Sequence, residues 1–161
     1  MASEIERKFL VASDAWKGVA YRSMHYRQGY LGRAETSSVR VRVSEQDAYL
    51  NVKSATLGIE RLEYEYPIPL PDAHEMLDRL CHKPLIEKTR HWVEYAGHCW
   101  EVDVFEGDNE GLVVAEIELK TPEEDFERPV WLGEEVSHEP RYYNVCLVEH
   151  PYSQWSEEER K

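Results

Sequence analysis

Charged side chains recur at every second position, mostly with one sign, along one short segment of this chain after another. Side chains on a β-strand alternate between faces, so Glu4, Glu6 and Lys8 share one face of the opening segment while Ile5, Arg7 and Phe9 share the other. The same period pairs Arg40 with Arg42 in Val39–Val43, and Asn51 with Lys53 in Tyr49–Lys53. It pairs Glu63 with Glu65 in Leu62–Tyr66 and Lys88 with Arg90 in Ile86–Trp92. It also pairs Glu101 with Asp103 in Trp100–Phe105 and Glu116 with Glu118 in Leu112–Lys120. A period of two selects strands over helices, and a solvated face on a half-buried strand would account for any one of these segments alone. The series is different because it segregates by sign, and neighbouring like charges on a sheet are unfavourable. If the sheet curls so that these faces point inward, the lumen holds six cations, Lys8, Arg40, Arg42, Lys53, Lys88 and Arg90. Beside them stand Glu4, Glu6, Glu63, Glu65, Asp103, Glu116 and Glu118. A dry interior would cost several kcal/mol per unpaired ion, so the lumen has to be wet. Cations suit a polyanion; carboxylates suit a hard divalent ion, Mg2+ or Mn2+, whose coordination phosphates complete.

The 161 residues fit one domain. The net charge of -13 opposes general nucleic-acid binding. Charges occupy Met1–Leu10 where a signal peptide needs its apolar run, and nothing approaches the ~20 apolar residues of a membrane helix. The expectation is a cytoplasmic protein with no membrane or nucleic-acid partner, with homodimerisation left open. Cys81, Cys99 and Cys146 form no Cys-x-x-Cys pair, and the histidines form no His-Glu-x-x-His arrangement. Cys81-His82 and His98-Cys99 do not make a zinc site, because strand neighbours face opposite ways. Walker, nucleophile-elbow and dinucleotide motifs are absent from the sequence.

Met24–Leu31 reads as a further strand, followed by a turn from Gly32. Asp72–His82 reads as a helix capped by Asp72, with Glu75 three residues on and an apolar stripe of Met76, Leu77 and Leu80. The acidic Glu106–Gly111 lacks EF-hand spacing and reads as a hairpin turn. Thr121-Pro122-Glu123-Glu124 has the cap, proline and first-turn acids of a short helix. Pro140–Val148 is a second helical segment closed by Pro151, and a polar, mobile tail follows, so that 1–150 is the domain and 151–161 the tail.

The series from Glu4-x-Glu6-x-Lys8 through Arg40-x-Arg42, Lys53, Glu63-x-Glu65, Lys88-x-Arg90, Asp103 and Glu116-x-Glu118 resembles the CYTH, or triphosphate tunnel metalloenzyme, superfamily. Arg27-Gln28-Gly29-Tyr30-Leu31 and Glu134-Glu135-Val136 with Tyr142-x-Asn144 are similar to its small bacterial inorganic tripolyphosphatases. The resemblance implies an α+β fold: an eight-stranded antiparallel β-barrel forming a triphosphate tunnel, with flanking helices and a C-terminal plug helix. It implies metal-dependent hydrolysis of tripolyphosphate to pyrophosphate and phosphate, with Mg2+ or Mn2+ on the seven carboxylates. Substrate falls to Lys8, Arg40, Arg42, Lys53, Lys88 and Arg90, and catalysis to Lys8, Lys88 and Tyr30. An acidic residue, Lys8 or the metal could take the water's proton. Charge pairs recognise phosphates alone, so thiamine, nucleoside and RNA 5'-triphosphates stay open as substrates. A class IV adenylyl cyclase and a non-catalytic polyphosphate-binding module are the alternatives.

Overall fold

Strand β1 (Ser3–Val11) uses both of its edges, and one of them twice, which is what closes the sheet. In the computed structural model, which describes residues 3–55 and 58–160, the chain continues through β2 (Arg22–Arg33), β3 (Ser37–Val43), β4 (Ala48–Ser54) and β5 (Glu60–Pro67). Helix α1 (Leu70–Arg79) precedes β6 (Ile86–Tyr95), β7 (His98–Phe105), β8 (Val113–Leu119) and the short β9 (Leu132–Glu135). All pairings are antiparallel, and the order β5-β4-β3-β2-β6-β7-β8-β1 returns on itself through β1–β5. Eight strands therefore form a ring. β9 stands outside it, pairing with Phe9 and Val11 on the same edge of β1 that meets β5 at Ser3–Ile5.

Local chemistry explains the joints. The β6–β7 hairpin turns on Ala96 and Gly97, both at positive φ (49° and 82°), the two-residue turn whose twist matches antiparallel strands. Gly29 sits where a Cβ would come within 2.8 Å of Cys81 Cβ and Leu85 Cδ2, so its lack of a side chain lets the segment after α1 lie flat on β2.

The apolar core lies mainly outside the ring. Ile5, Phe9, Trp100, Val102, Ala115 and Ile117 face outward and are covered by Trp16, Phe126 and Trp131. Across the ring, Ala73 and Leu77 of α1 cover Val41, Val43 and Ala48. A third cluster closes one end, where Tyr30, Ile86, Phe105 and Val114 meet Tyr142, Leu147 and Trp155. None of the helices is long and apolar enough to cross a membrane among the described residues. All three cysteines are free.

Four sequence expectations differ locally. The first helix starts at Leu70, because extended Pro69 (ψ 135°) takes the cap position; Asp72 sits in the first turn without a capping hydrogen bond, and the helix ends at Arg79. Residues 121–123 make a turn and no helix. The Glu124 carboxylate accepts the Lys120 backbone N–H at 2.6 Å and folds the chain back, which delivers Phe126 onto Phe9 and Trp100. The expected helix at Pro140–Val148 is split into a 3-10 turn (Pro140–Tyr142) and α2 (Asn144–Glu149) by extended Tyr143 (φ -73°, ψ 137°). The Tyr143 hydroxyl explains the break, since it donates to Ser137 O at 2.7 Å and accepts from Gly58 N at 3.3 Å. The tail is packed, with Trp155 only 5% exposed.

Because α1 lies on the outer face, its packing should affect stability apart from the lumen. Leu77→Ala removes a fully buried side chain and should lower unfolding free energy by about 2–5 kcal/mol. Urea denaturation checks this; the midpoint should fall without a change in slope.

Candidate active site

The ring encloses a cavity of about 210 Å³ lined by seven cationic and six acidic side chains. Its most buried ions belong to β6 and β7. Asp103 is fully buried and accepts from Lys88 Nζ at 2.8 Å, Arg90 Nε at 2.8 Å and Arg90 Nη2 at 3.0 Å. Arg90 also reaches Glu101 at 3.2 Å and Glu116 at 3.4 Å. Burial works against the Asp103 anion, but Arg90 and Lys88 overcome it and hold this acid below its ordinary range. Burial likewise pushes Lys88 down to about 8 against the pull of Asp103, while Arg90, despite burial, is raised by Asp103 and Glu101.

The cations on β1 and β3 are less well satisfied. Arg40 is 7% exposed and has no ion-pair or hydrogen-bond partner among the described residues; its Nε is buried and unpaired. Arg42 Nε is also unpaired; its Nη2 is 3.5 Å from Glu65, and its guanidinium lies 4.8 Å from the Tyr26 ring centre. Burial, Arg40 and Arg90 lower the Arg42 pKa. Lys8 Nζ donates to the Tyr142 carbonyl at 3.1 Å and has no carboxylate within ion-pair distance among the described residues. Leaving a buried donor unmade costs about 1–3 kcal/mol, so this wall favours an acceptor-rich ligand. Lys53 lies between Glu63 at 3.0 Å and Glu4 at 3.8 Å.

The acids on β1, β5 and β8 shift one another's ionisation. Burial, reinforced by a hydrogen bond to Glu63, raises Glu4 to about 7; burial and the Glu116 charge raise Glu6 further above its usual range. Burial opposes ionisation of Glu63 as well, but the hydrogen bond from Glu4 and the Lys53 charge hold it at about 2. Glu116 is depressed in the same way, its burial outweighed by Lys8, Glu6 and Arg90. Glu101 is raised by burial and by Glu116, with Arg90 opposing. Anions crowded until they hold protons are donors for a hard divalent cation. Among the described residues, no three metal-ligating side chains are gathered into a preformed cage. The donor set fits an ion that takes one or two protein carboxylates and completes its shell with phosphate and water, as Mg2+ does.

Of the residues singled out from sequence, Glu4, Glu6, Lys8, Tyr30, Arg40, Arg42, Lys53, Glu63, Lys88, Arg90, Glu116 and Glu118 line the cavity. Asp103 and Glu65 do not. Asp103 lies behind Lys88 and Arg90, and Glu65 accepts from Asn51 Nδ2 at 2.8 Å beside Arg42. Tyr30 belongs to the apolar end cluster, and Glu118 is exposed. Sequence reasoning missed Arg61, Ser38 and Ser137 as lining residues, and gave Glu101 no ligand role. Arg61 shares the face of Glu63; the signal was present, but β5 begins at Glu60, two residues before the expected start. Asn144 Oδ1 accepts from Gln28 Nε2 at 2.7 Å and Lys88 Nζ at 3.3 Å, tying the segment after β9 to the lumen wall.

Comparison with known proteins agrees with this architecture. The CYTH domain model matches residues 2–145. A protein of Acetivibrio thermocellus named inorganic triphosphatase is 50% identical over 157 residues, covering 98% of this chain and 100% of that protein. One of the same name from Nitrosomonas europaea is 35% identical over 151 residues, covering 91% of this chain and 97% of its own. The crystal structure of an inorganic triphosphatase superposes with a TM-score of 0.66 at 33% identity, over 90% of this chain and 97% of the other. A Hippeastrum protein at 17% identity and TM-score 0.61, covering 74% of this chain and 81% of its own, shares the fold alone. A ring of antiparallel strands with paired charges on its inner face, matched over nearly its whole length, places the chain in the CYTH domain family.

Proposed function

We propose that this protein hydrolyses inorganic tripolyphosphate to pyrophosphate and phosphate in the lumen, with Mg2+ or Mn2+. The carrying observation is Arg40: a buried guanidinium on the cavity wall with no hydrogen-bond or ion-pair partner among the described residues, beside the half-satisfied Arg42 and Lys8. Such donors in a confined space match the closely spaced oxygens of a phosphate chain. The names of the Acetivibrio and Nitrosomonas relatives support the choice of an inorganic substrate.

One or two at a time of the lumen carboxylates Glu4, Glu6, Glu63, Glu116 and Glu118, with Glu101 beside them, would hold the divalent ion. When bound, the ion neutralises phosphate charge and polarises the bond to be broken. Arg40, Arg42, Lys53, Arg61, Lys88 and Arg90 hold and orient the substrate. Water attacks the terminal phosphorus; a new P–O bond forms as the anhydride P–O bond breaks, and pyrophosphate leaves with the bonding pair. Guanidinium donors fixed before the reaction stabilise charge that grows in the transition state. Lys8 and Lys88 serve at the end nearest Tyr30. Burial brings Lys88 to about 8, so its neutral fraction, not its ammonium form, can accept the water's proton. Asp103 acts through Lys88 and Arg90 as their shared counter-ion, and Glu65 through Arg42. All of these side chains come from one chain, so this chemistry does not require a homodimer.

A substrate panel tests the reading, with phosphate, pyrophosphate and cyclic nucleotide measured separately in Mg2+ and Mn2+. Tripolyphosphate should exceed ATP in kcat/KM. Arg40→Ala should lower that value by about 10²-fold or more. Preference for ATP with cyclic AMP as product, or tight binding of polyphosphate without turnover, would overturn it.

The lumen acids give a second test. Glu4 ionises at about 7 when folded against an ordinary 4.5, so its contribution to stability is full below the unfolded value. It is lost as pH rises through the folded one, by at most about 3 kcal/mol. Metal-free protein should therefore lose thermal stability between pH 5 and pH 7.5 on this account, and Glu4→Gln should flatten that fall. Mg2+ should stabilise wild type more at pH 7.5 than at pH 5 in calorimetric scans. Equal slopes for wild type and variant would remove Glu4 from the metal site.

A further inference from the structure

We propose that residues 151–160 form a latch, centred on Trp155, that fixes the depth of the lumen and so the length of phosphate chain it accepts. This rests on the reading of the lumen as a polyphosphate site.

The wall formed by residues 143–145 belongs to a segment with little structure of its own. It has one 3-10 turn, one extended residue and a six-residue helix, far shorter than the ~12 residues at which an isolated helix becomes marginally stable. Its position therefore comes from packing, and the tail supplies much of that packing. The Trp155 ring is 5.1 Å from Tyr142, edge-on at 80°, and 5.0 Å from Tyr152. Trp155 Nε1 donates to His150 O at 2.9 Å, which ties the tail to the end of α2. The other end is fastened to the β7–β8 turn, where Asn109, 1% exposed, accepts the Tyr152 backbone N–H at 2.9 Å. Gly111 in that turn has a positive φ of 101°, and a Cβ there would stand 3.1 Å from the Tyr152 ring. Arg160 closes the tail by donating to Tyr152 O at 3.1 Å.

Tyr142 carries the connection inward. Its ring faces the latch while its carbonyl accepts from Lys8 Nζ, and two residues on, Asn144 accepts from Lys88 and Gln28. Movement of this segment displaces acceptors of Lys8 and Lys88 and deepens the cavity at once. The CYTH model ends at residue 145, before the latch begins.

The measurement is the ratio of kcat/KM for tetrapolyphosphate to that for tripolyphosphate, which does not depend on the fraction of enzyme folded. Trp155→Ala should raise the ratio about fivefold or more, since loosening a confining wall relaxes discrimination by size. Trp155→Phe keeps the edge contact with Tyr142 and should stay within about twofold of wild type. Asn109→Ala frees the other end of the latch and should move the ratio in the same direction; it decides the matter if Trp155→Ala does not fold. Equal losses on both substrates, with an unchanged ratio in the folded variants, would show the tail to be structural only and sink the proposal. If wild type cleaves neither chain, the triphosphatase reading fails on its own. The same ratio is then taken from dissociation constants by calorimetry, and its shift or constancy still decides the latch.

Discussion

The Asp103 carboxylate, shared between Lys88 and Arg90, is the interaction on which the inner face depends. Three charges at almost no exposure are tolerated only because both Asp103 oxygens are taken and because Arg90 continues to Glu101 and Glu116. Removing one member of such a cluster leaves an uncompensated buried charge, at a cost of roughly 3–5 kcal/mol. The cluster also fixes direction. With Asp103 behind them, Lys88 and Arg90 present their remaining donors to the cavity, as preorganised recognition of a polyanion requires.

A ring whose interior is ionic has to find its stability elsewhere. Here, that stability comes largely from outside, where aromatic side chains from connecting segments cover the strands: Trp16, Phe126 and Trp131 over β1, β7 and β8, and α1 over β3 and β4. Phe9, Trp100 and Phe126 meet edge-to-face with ring centres 5.6 to 5.9 Å apart, each such pair adding about 0.5–1.5 kcal/mol beyond the area buried. Closure through β1–β5, where Ser3–Ile5 pair with Glu60–Leu62, then completes the ring around the wet interior.

Much of this was legible in the sequence because alternation is a local signal. Arg40 and Arg42, or Glu116 and Glu118, must share a face once they lie on a strand. Alternation assigns a face without assigning depth, however. It put Asp103 and Glu65 beside the other carboxylates, whereas Asp103 is covered by the two cations it binds and Glu65 is turned to Asn51 and Arg42. The break at Tyr143 was illegible for another reason: the residues from Pro140 onward favour helix, but a hydroxyl bonded to Ser137 and Gly58 overrides them. Trp155 was hidden in a polar context, since two aromatics, Tyr152 and Trp155, in an otherwise polar tail set no period that would reveal their partners.

The acidic set and the cationic set make each other necessary. A chain at -13 overall surrounds a lumen of seven cations and six acids, and burial raises Glu4 and Glu6 above the ordinary carboxylate range, which favours a more positive lumen. On the proposed reading, such a lumen attracts a polyanion despite the global charge, because field lines concentrate in a low-dielectric cleft. On that reading, a divalent ion would compete with protons for these carboxylates, and phosphate oxygens would supply the rest of its ligands. On the proposed reading, ion and triphosphate are therefore linked ligands: each raises the affinity of the site for the other by the same factor. On the same reading, the phosphate chain is the partner that satisfies both the unpaired cations and the metal-holding acids.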